Sequence, residues 1–326
     1  MKAFGLFVLL GLATGAVAEE RPFAGGLTET LAADGLTVSG ISSGGYFAQQ
    51  LHLAFADRVD GVGVIAAGPW GCARGNVMIA LGACMGGEAP PALEPLQADL
   101  AAAVAAGGIA PAAAREGDRA WFFHGTEDGT VSTAVAGAGP TFYAALLGDD
   151  AVVTVDDIGA THTFPTLANG SACAVAEAPF VAACDYDAVG AMLGHLLGDL
   201  EPRAADHAPT FETLTVPDAA SSSLLDTAYV FVPEACRRDG ASCRTHVVFH
   251  GCAMSSGAVG TGFIEQAGYV EWAAANGLVV LFPQVLASGV NPYGCWDWWG
   301  YGGADYQLRT GTQLTAVMAL VDSLRD

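Results

Sequence analysis

The sequence predicts an α/β fold, a mostly parallel central sheet with helices packed on both faces. Two observations carry that reading. Short, mostly apolar runs at 59–67, 120–123, 247–249 and 278–282 have the character of strands buried on both faces. Between such runs lie stretches with apolar residues at helical spacing, among them Val189, Met192, Leu193 and Leu196. Strands alternating with helices in this way build parallel sheets.

Residues 1–18 read as a secretory signal peptide. They combine Lys2, an apolar stretch from Ala3 to about Ala13, and Ala16-Val17-Ala18 as a small-residue cleavage site. That apolar run is shorter than the roughly 20 residues a membrane helix needs, and no later stretch qualifies. Residues 19–326 are therefore expected to form one soluble domain, extracellular or periplasmic. The chain carries 34 acidic against 12 basic residues, a net charge of −22, and Lys2 is its only lysine. Such a surface repels nucleic acid and anionic lipid, so neither is expected as a partner, and no protein partner is implied.

Gly40-Ile41-Ser42-Ser43-Gly44 follows the run Leu36-Thr37-Val38-Ser39. A strand running into G-x-S-x-G and then a helix is the pattern of a nucleophile elbow, a strained turn exposing its central serine. Phe47, Leu51 and Phe55, spaced by four, supply the helix. The 59–67 strand then closes at Gly68-Pro69. An Ala/Gly/Pro-rich stretch over 73–118 offers one helix around 96–106, with Pro95 just ahead of it. The 120–123 strand runs into His124-Gly125-Thr126-Glu127-Asp128-Gly129, and a strand at 152–155 leads to Gly159-Ala160-Thr161-His162-Thr163. Ser42, Asp128 and His162 stand in the chain order of nucleophile, acid and base in an α/β-hydrolase.

The strands that should precede the elbow lie at the other end of the chain. Residues 200–210 form a polar, Pro-bearing linker, followed by strand patterns at 213–216 and 228–232 with turn residues at 218–223 between them. Val247-Val248-Phe249 then runs into His250-Gly251-Cys252-Ala253-Met254, where this fold places its second oxyanion donor. One helix presenting Phe263, Ala267, Val270 and Ala274 ends at Asn276-Gly277. The 278–282 strand, a Trp-rich loop and a helix with Leu314, Val317, Met318 and Val321 complete the chain. The sequence thus reads as a circularly permuted α/β-hydrolase, an arrangement that close termini make tolerable.

A serine hydroxyl is a poor nucleophile near neutral pH, so it needs a base within hydrogen-bond reach and a carboxylate to orient that base. Ser42, His162 and Asp128 are the candidates for those roles. Ser43 is an off-centre rival nucleophile, and Glu127, Asp156 and Asp157 are rival acids. Of the other histidines, His124 and His250 are expected to brace loops. His52 and His195 fall within helices, His207 in the linker, and His246 at a strand start. No C-x-x-C or H-E-x-x-H spacing occurs, so neither a metal nor a cofactor is expected. Eight cysteines in an exported chain imply disulfides. They can pair in many ways; proximity suggests Cys72–Cys84, Cys173–Cys184 and Cys236–Cys243, leaving Cys252–Cys295.

Gly40-Ile41-Ser42-Ser43-Gly44-Gly45-Tyr46, His162-Thr163-Phe164-Pro165, His250-Gly251-Cys252 and Gly294-Cys295-Trp296-Asp297-Trp298 together resemble the single-domain extracellular poly(3-hydroxybutyrate) depolymerases, above all the circularly permuted type known from fungi. The likeness spans nearly the whole mature chain and the sequential arrangement of all eight cysteines. It implies a serine esterase acting on poly(3-hydroxybutyrate) or its oligomers. By that resemblance Ser42, Asp128 and His162 match the triad, the N–H groups of Ser43 and Cys252 match the oxyanion hole, and Trp298 matches an aromatic beside the substrate cleft. Trp296 and Trp299 read as packing, and Tyr46 and Trp70 are weaker cleft candidates. The chain departs from the family in its 73–118 segment and in its acidity. The last helical pattern reaches the carboxyl end, so no separate polymer-binding module is expected, and adsorption would fall to apolar residues rimming the cleft. A small soluble ester or an acylated polysaccharide is the other substrate class such a triad accepts. A non-catalytic binding protein on the same scaffold is the remote reading.

Overall fold

The computed structural model describes residues 20–25, 27, 31–205 and 210–325; the expected signal peptide and His207 lie outside the described residues. The amino-terminal part contains β1 (Glu20–Pro22), β2 (Leu31–Ile41), α1 (Ser43–Ala54), β3 (Gly61–Ile65), α2 (Val77–Leu81), α3 (Leu93–Ala105), β4 (Arg119–Phe123), α4 (Thr133–Leu147) and β5 (Val152–Val155). Next come β6 (Phe164–Thr166), β7 (Ser171–Ala172), β8 (Val181–Ala183) and α5 (Ala188–Leu197). After the linker follow β9 (Phe211–Thr215), β10 (Thr227–Phe231), β11 (Cys243–Phe249), α6 (Ser256–Val259), α7 (Gly262–Gln266), α8 (Tyr269–Asn276), β12 (Leu278–Phe282) and α9 (Thr312–Ser323).

Nine strands form one sheet in the order β1-β9-β10-β12-β11-β2-β3-β4-β5. Only β10 runs antiparallel to its neighbours. The strands from β9 to β12 fill one half of the sheet, and those from β2 to β5 fill the other. The seam between the halves is the parallel pair β11 and β2, in register from Thr245 opposite Leu36 to Phe249 opposite Gly40. This is the permuted order expected from the sequence. It also brings the loops after Gly40 and after Phe249 out of the sheet side by side.

Residues alternate between two cores. In β4 Phe122 faces one and Trp121 and Phe123 the other; in β11 Phe249 faces the first and Val248 the second. Phe47 and Leu51 of α1, Phe142 of α4 and Leu314 of α9 cover the first face, while Met192 of α5, Phe263 of α7 and Val270 of α8 cover the second. Helices therefore sandwich the sheet, as the apolar strand runs require.

Several elements differ from the sequence expectation for local reasons. The helix expected around 96–106 begins at Leu93, so Pro95 sits within the first turn, where a missing N–H still leaves no bond unmade. The single helix expected through Phe263 and Ala274 is two, because Gly268 takes a φ of +89° between α7 and α8. The strand expected at 59–67 stops at Ile65, where Ala66 turns out at a φ of +52°. Helix α4 has no counterpart in the sequence reading because Gly137, Gly139 and Pro140 interrupt its pattern. The small sheet β6-β8-β7 is likewise unforeseen.

Candidate active site

Ser42 sits between β2 and α1 with a φ of +56°, a left-handed conformation that only a tightly determined turn sustains. Two glycines make the turn possible. A Cβ on Gly40 would strike the carbonyl of Gly44, and one on Gly44 would strike the carbonyls of Phe249 and His250. The Ser42 N–H donates to the Ile65 carbonyl at 2.8 Å, fixing the elbow to β3.

Asp128 and His162 arrive on two loops that bond to one another. Thr126 donates its N–H to the Ile158 carbonyl and Glu127 donates its N–H to the Ala160 carbonyl. The Cys173–Cys184 bridge anchors the segment onto which Thr161 donates, through its N–H, at the Cys173 carbonyl. Three side chains then meet. His162 Nδ1 is 2.8 Å from Asp128 Oδ2, and His162 Nε2 is 2.9 Å from Ser42 Oγ. Asp128 Oδ1 accepts the N–H groups of Thr130 and Val131, so neither carboxylate oxygen is idle. Burial alone would raise the Asp128 carboxyl. The hydrogen bond and charge of His162, with the two backbone donors, outweigh it and hold the group below its ordinary value.

The rivals lie elsewhere. Glu127, Asp156 and Asp157 are exposed. Ser43 is buried, and its Oγ accepts the Trp296 N–H at 3.4 Å instead of meeting an imidazole. The backbone N–H groups of Ser43 and Cys252 find no protein acceptor among the described residues. Trp298 is buried, stacked on Tyr46 and edge-on to Trp299. The cysteines form four bridges, Cys72–Cys84, Cys173–Cys184, Cys236–Cys243 and Cys252–Cys295. The last ties the His250–Met254 loop to the Trp-bearing loop.

One neighbour of the site was not singled out for it from the sequence. His124 Nδ1 lies 3.8 Å from Asp128 Oδ2, the same oxygen that His162 Nδ1 meets at 2.8 Å. Burial pulls the His124 imidazole down, the Asp128 charge opposes this, and His162 reinforces it. The four-residue spacing between His124 and Asp128 was the available signal. Three other histidines make structural bonds: His52 meets Asp118 and Tyr143, His195 meets the Ala151 carbonyl, and His246 lies between Thr37 and Ser39.

Fold, elbow and residue arrangement define the class: a circularly permuted α/β-hydrolase. The chain belongs to the poly(3-hydroxybutyrate) depolymerase family, hydrolases of polyester ester bonds. It is 32% identical over 310 residues to the polyhydroxybutyrate depolymerase of Talaromyces funiculosus, an alignment covering 89% of each chain. It is 38% identical over 291 residues to the poly(3-hydroxybutyrate) depolymerase of Delftia acidovorans, covering 88% of this chain and 58% of that longer protein. The crystal structure of the PHB depolymerase from Penicillium funiculosum superposes with a TM-score of 0.84 at 30% identity, covering 90% of this chain and 96% of that one. A PHB depolymerase variant complexed with an R3HB trimer gives 0.83 at 28% identity, covering 94% and 98%. No family model matches the sequence.

Proposed function

We propose that the chain is a secreted serine hydrolase that cleaves ester bonds of poly(3-hydroxybutyrate) or its oligomers. The observation that carries this reading is His162, which touches Ser42 through one ring nitrogen and Asp128 through the other. In the proposed cycle Asp128 accepts the Nδ1–H and fixes the tautomer, leaving Nε2 to take the Ser42 proton as Oγ attacks the ester carbonyl. The N–H groups of Ser43 and Cys252 receive the oxyanion. His162 then returns its proton to the departing alkoxide, and a water activated by the same ring hydrolyses the acyl-enzyme to free the hydroxyacid. Residues 1–18 act as the export signal and 19–326 as a single catalytic domain, with a Trp298-bearing wall beside the cleft.

Two kinds of support favour a polymer over a small ester. The relatives include one whose structure is described as complexed with an R3HB trimer. Exposed apolar side chains also stand on segments tied down by two of the disulfides. Met78 and Leu81 are 74% and 62% exposed, inside the loop closed by Cys72–Cys84. Val290 and Tyr293 are 74% and 68% exposed, next to Cys295. Between the latter loop and Ala253 runs a groove of about 380 Å³ lined by Ser255, Leu286 and Tyr293. Apolar surface of this kind suits adsorption to an uncharged polyester. Four disulfides accord with export, and among the described residues no helix is long and apolar enough to cross a membrane.

The deciding experiment compares amorphous poly(3-hydroxybutyrate) particles with a short-chain p-nitrophenyl ester, each against a Ser42→Ala control. Clearing of particles that is lost in Ser42→Ala is the expected result. Hydrolysis of the soluble ester alone would discard the polymer and keep the triad.

A further inference from the structure

We propose that His250 is a positioning residue for the oxyanion hole, holding one end of the peptide group whose other end is the Cys252 N–H. This rests on the reading of Ser42 as the acylating nucleophile. The His250 ring is buried just beyond β11 and meets two backbone groups. Val285 donates its N–H to Nε2 at 3.1 Å, and Nδ1 lies 2.7 Å from the Gly251 carbonyl oxygen. A backbone N–H only donates and a carbonyl oxygen only accepts. The two contacts together therefore admit one neutral tautomer, with Nε2 bare and Nδ1–H donating to Gly251. Burial agrees with that assignment: it pulls the imidazole down to about 4, although the Gly251 carbonyl pulls the other way.

The Gly251 carbonyl and the Cys252 N–H belong to one planar trans peptide and point in opposite directions. Drawing the carbonyl toward the His250 ring turns the N–H away from it. The loop carrying that N–H lies against the elbow: a Cβ placed on Gly251 would approach Ser42 Cβ to 3.4 Å. Gly251 has no side chain to resist rotation of this peptide. Two neighbouring restraints act on other groups. The Cys252–Cys295 bridge holds a side chain, and the Ala253 N–H donating to the Tyr293 carbonyl holds the next peptide. The Gly251 carbonyl also accepts the Met254 N–H at 3.3 Å, so the plane between residues 251 and 252 is set by that long turn bond and by the imidazole at 2.7 Å.

An oxyanion donor matters more to the tetrahedral intermediate than to the bound ester, so misorienting it lowers kcat and spares KM. Two variants separate the two ring contacts. His250→Asn keeps an N–H donor near the place of Nδ1 and loses the acceptor for Val285. His250→Gln keeps an acceptor near the place of Nε2 and loses the donor to Gly251. Both are compared with wild type and Ser42→Ala in steady-state hydrolysis of a p-nitrophenyl ester, beside urea unfolding of the disulfide-intact proteins.

His250→Gln should lose at least about tenfold in kcat with KM within about twofold, against roughly 10²–10³ for complete loss of one oxyanion donor. His250→Asn should stay within about threefold of wild type although both variants lose stability. Equal kcat in the two variants, whether high or low, overturns the proposal. A measurement on the wild type removes dependence on variant folding: ¹⁵N NMR of histidine-labelled protein should show His250 protonated at Nδ1 and bare at Nε2. The opposite tautomer overturns the proposal, because a bare Nδ1 cannot donate to the Gly251 carbonyl and would leave it only the longer Met254 N–H bond. If wild type and Ser42→Ala are equally inactive, the hydrolase reading itself falls, an outcome distinct from an active wild type indifferent to His250→Gln.

Discussion

Tyr46 and Trp298 lie face to face, their ring centroids 4.1 Å apart and their planes 9° from parallel. Tyr46 is in the first turn of α1, and its hydroxyl donates to the Cys84 carbonyl. One buried ring thus joins the elbow, the Trp-bearing loop and the segment closed by Cys72–Cys84. Trp298→Ala should cost about 3–5 kcal/mol of stability. Tyr46→Phe keeps the stack but strands the Cys84 carbonyl, costing about 1–3 kcal/mol. Urea unfolding of the oxidised proteins measures both. A smaller loss for Trp298→Ala than for Tyr46→Phe would mean that the stack contributes less to holding these segments than the hydroxyl does.

Asp128 accepts from His162 and from two backbone N–H groups, so Asp128→Asn should leave the loop folded while offering His162 the wrong partner. A fall in kcat of roughly 10⁴ with little change in KM is expected. Glu127→Gln, on the exposed neighbour, should stay within about twofold. Steady-state kinetics on a soluble ester checks both, and a large effect at Glu127 would reassign the acid.

Stability should depend on pH through two buried rings. Burial holds His246 down at about 3 and His250 at about 4, against about 6.5 in the unfolded chain. Below that unfolded value the denatured chain takes up protons that the folded protein refuses. Stability present above about pH 6.5 is therefore lost as the pH falls, by up to about 1.4 kcal/mol per pH unit for each ring. Asp128, held below its ordinary value, adds a loss in the same direction at lower pH. His246→Gln should flatten the slope seen by urea unfolding between about pH 5 and 6.5. An unchanged slope would show that His246 is charged in the fold.

Two glycines should respond in opposite ways to a methyl group. Gly44→Ala drives a Cβ into the Phe249 and His250 carbonyls, and failure to accumulate folded, active protein is expected. Gly137, exposed within α4, has nothing within 4 Å of its would-be Cβ. Gly137→Ala should stabilise by about 0.4–1 kcal/mol through the unfolded chain. Thermal unfolding of Gly137→Ala beside the wild type reads the sign directly.

The parts of the molecule legible in the sequence are those where one residue type has one physical use. Gly40, Ser42 and Gly44 announce the elbow because little else fits a turn against Phe249. The runs at 120–123 and 278–282 announce buried strands because they are apolar on both faces. Helix α4 was hidden because its stability comes from packing Val135, Phe142 and Tyr143 into the core, while Gly137 and Pro140 spoil its local pattern. The contact of His124 with Asp128 lies within one loop, its only signal their four-residue spacing; the stacking of Tyr46 on Trp298 was hidden because it depends on how distant segments meet, which no local spacing encodes. The same holds for the direction of the Cys252 N–H. Its residue is expected from the H-G loop, whereas its orientation rests, in our proposal, on the bond between His250 and Gly251.

Strand β2 meets its two neighbours at different moments in the life of the chain. β3 is made directly after it, whereas Thr37 and its strand partner His246 stand 209 positions apart. A growing polypeptide therefore possesses Ser42, Asp128 and His162 before any of β11 or the Cys252 loop exists. Until that late half docks, one edge of β2 is open to whatever strand drifts by. The seam between β2 and β11 cannot close before residue 243 and its strand are made, and a chain stalled short of them would keep that edge of β2 unpaired.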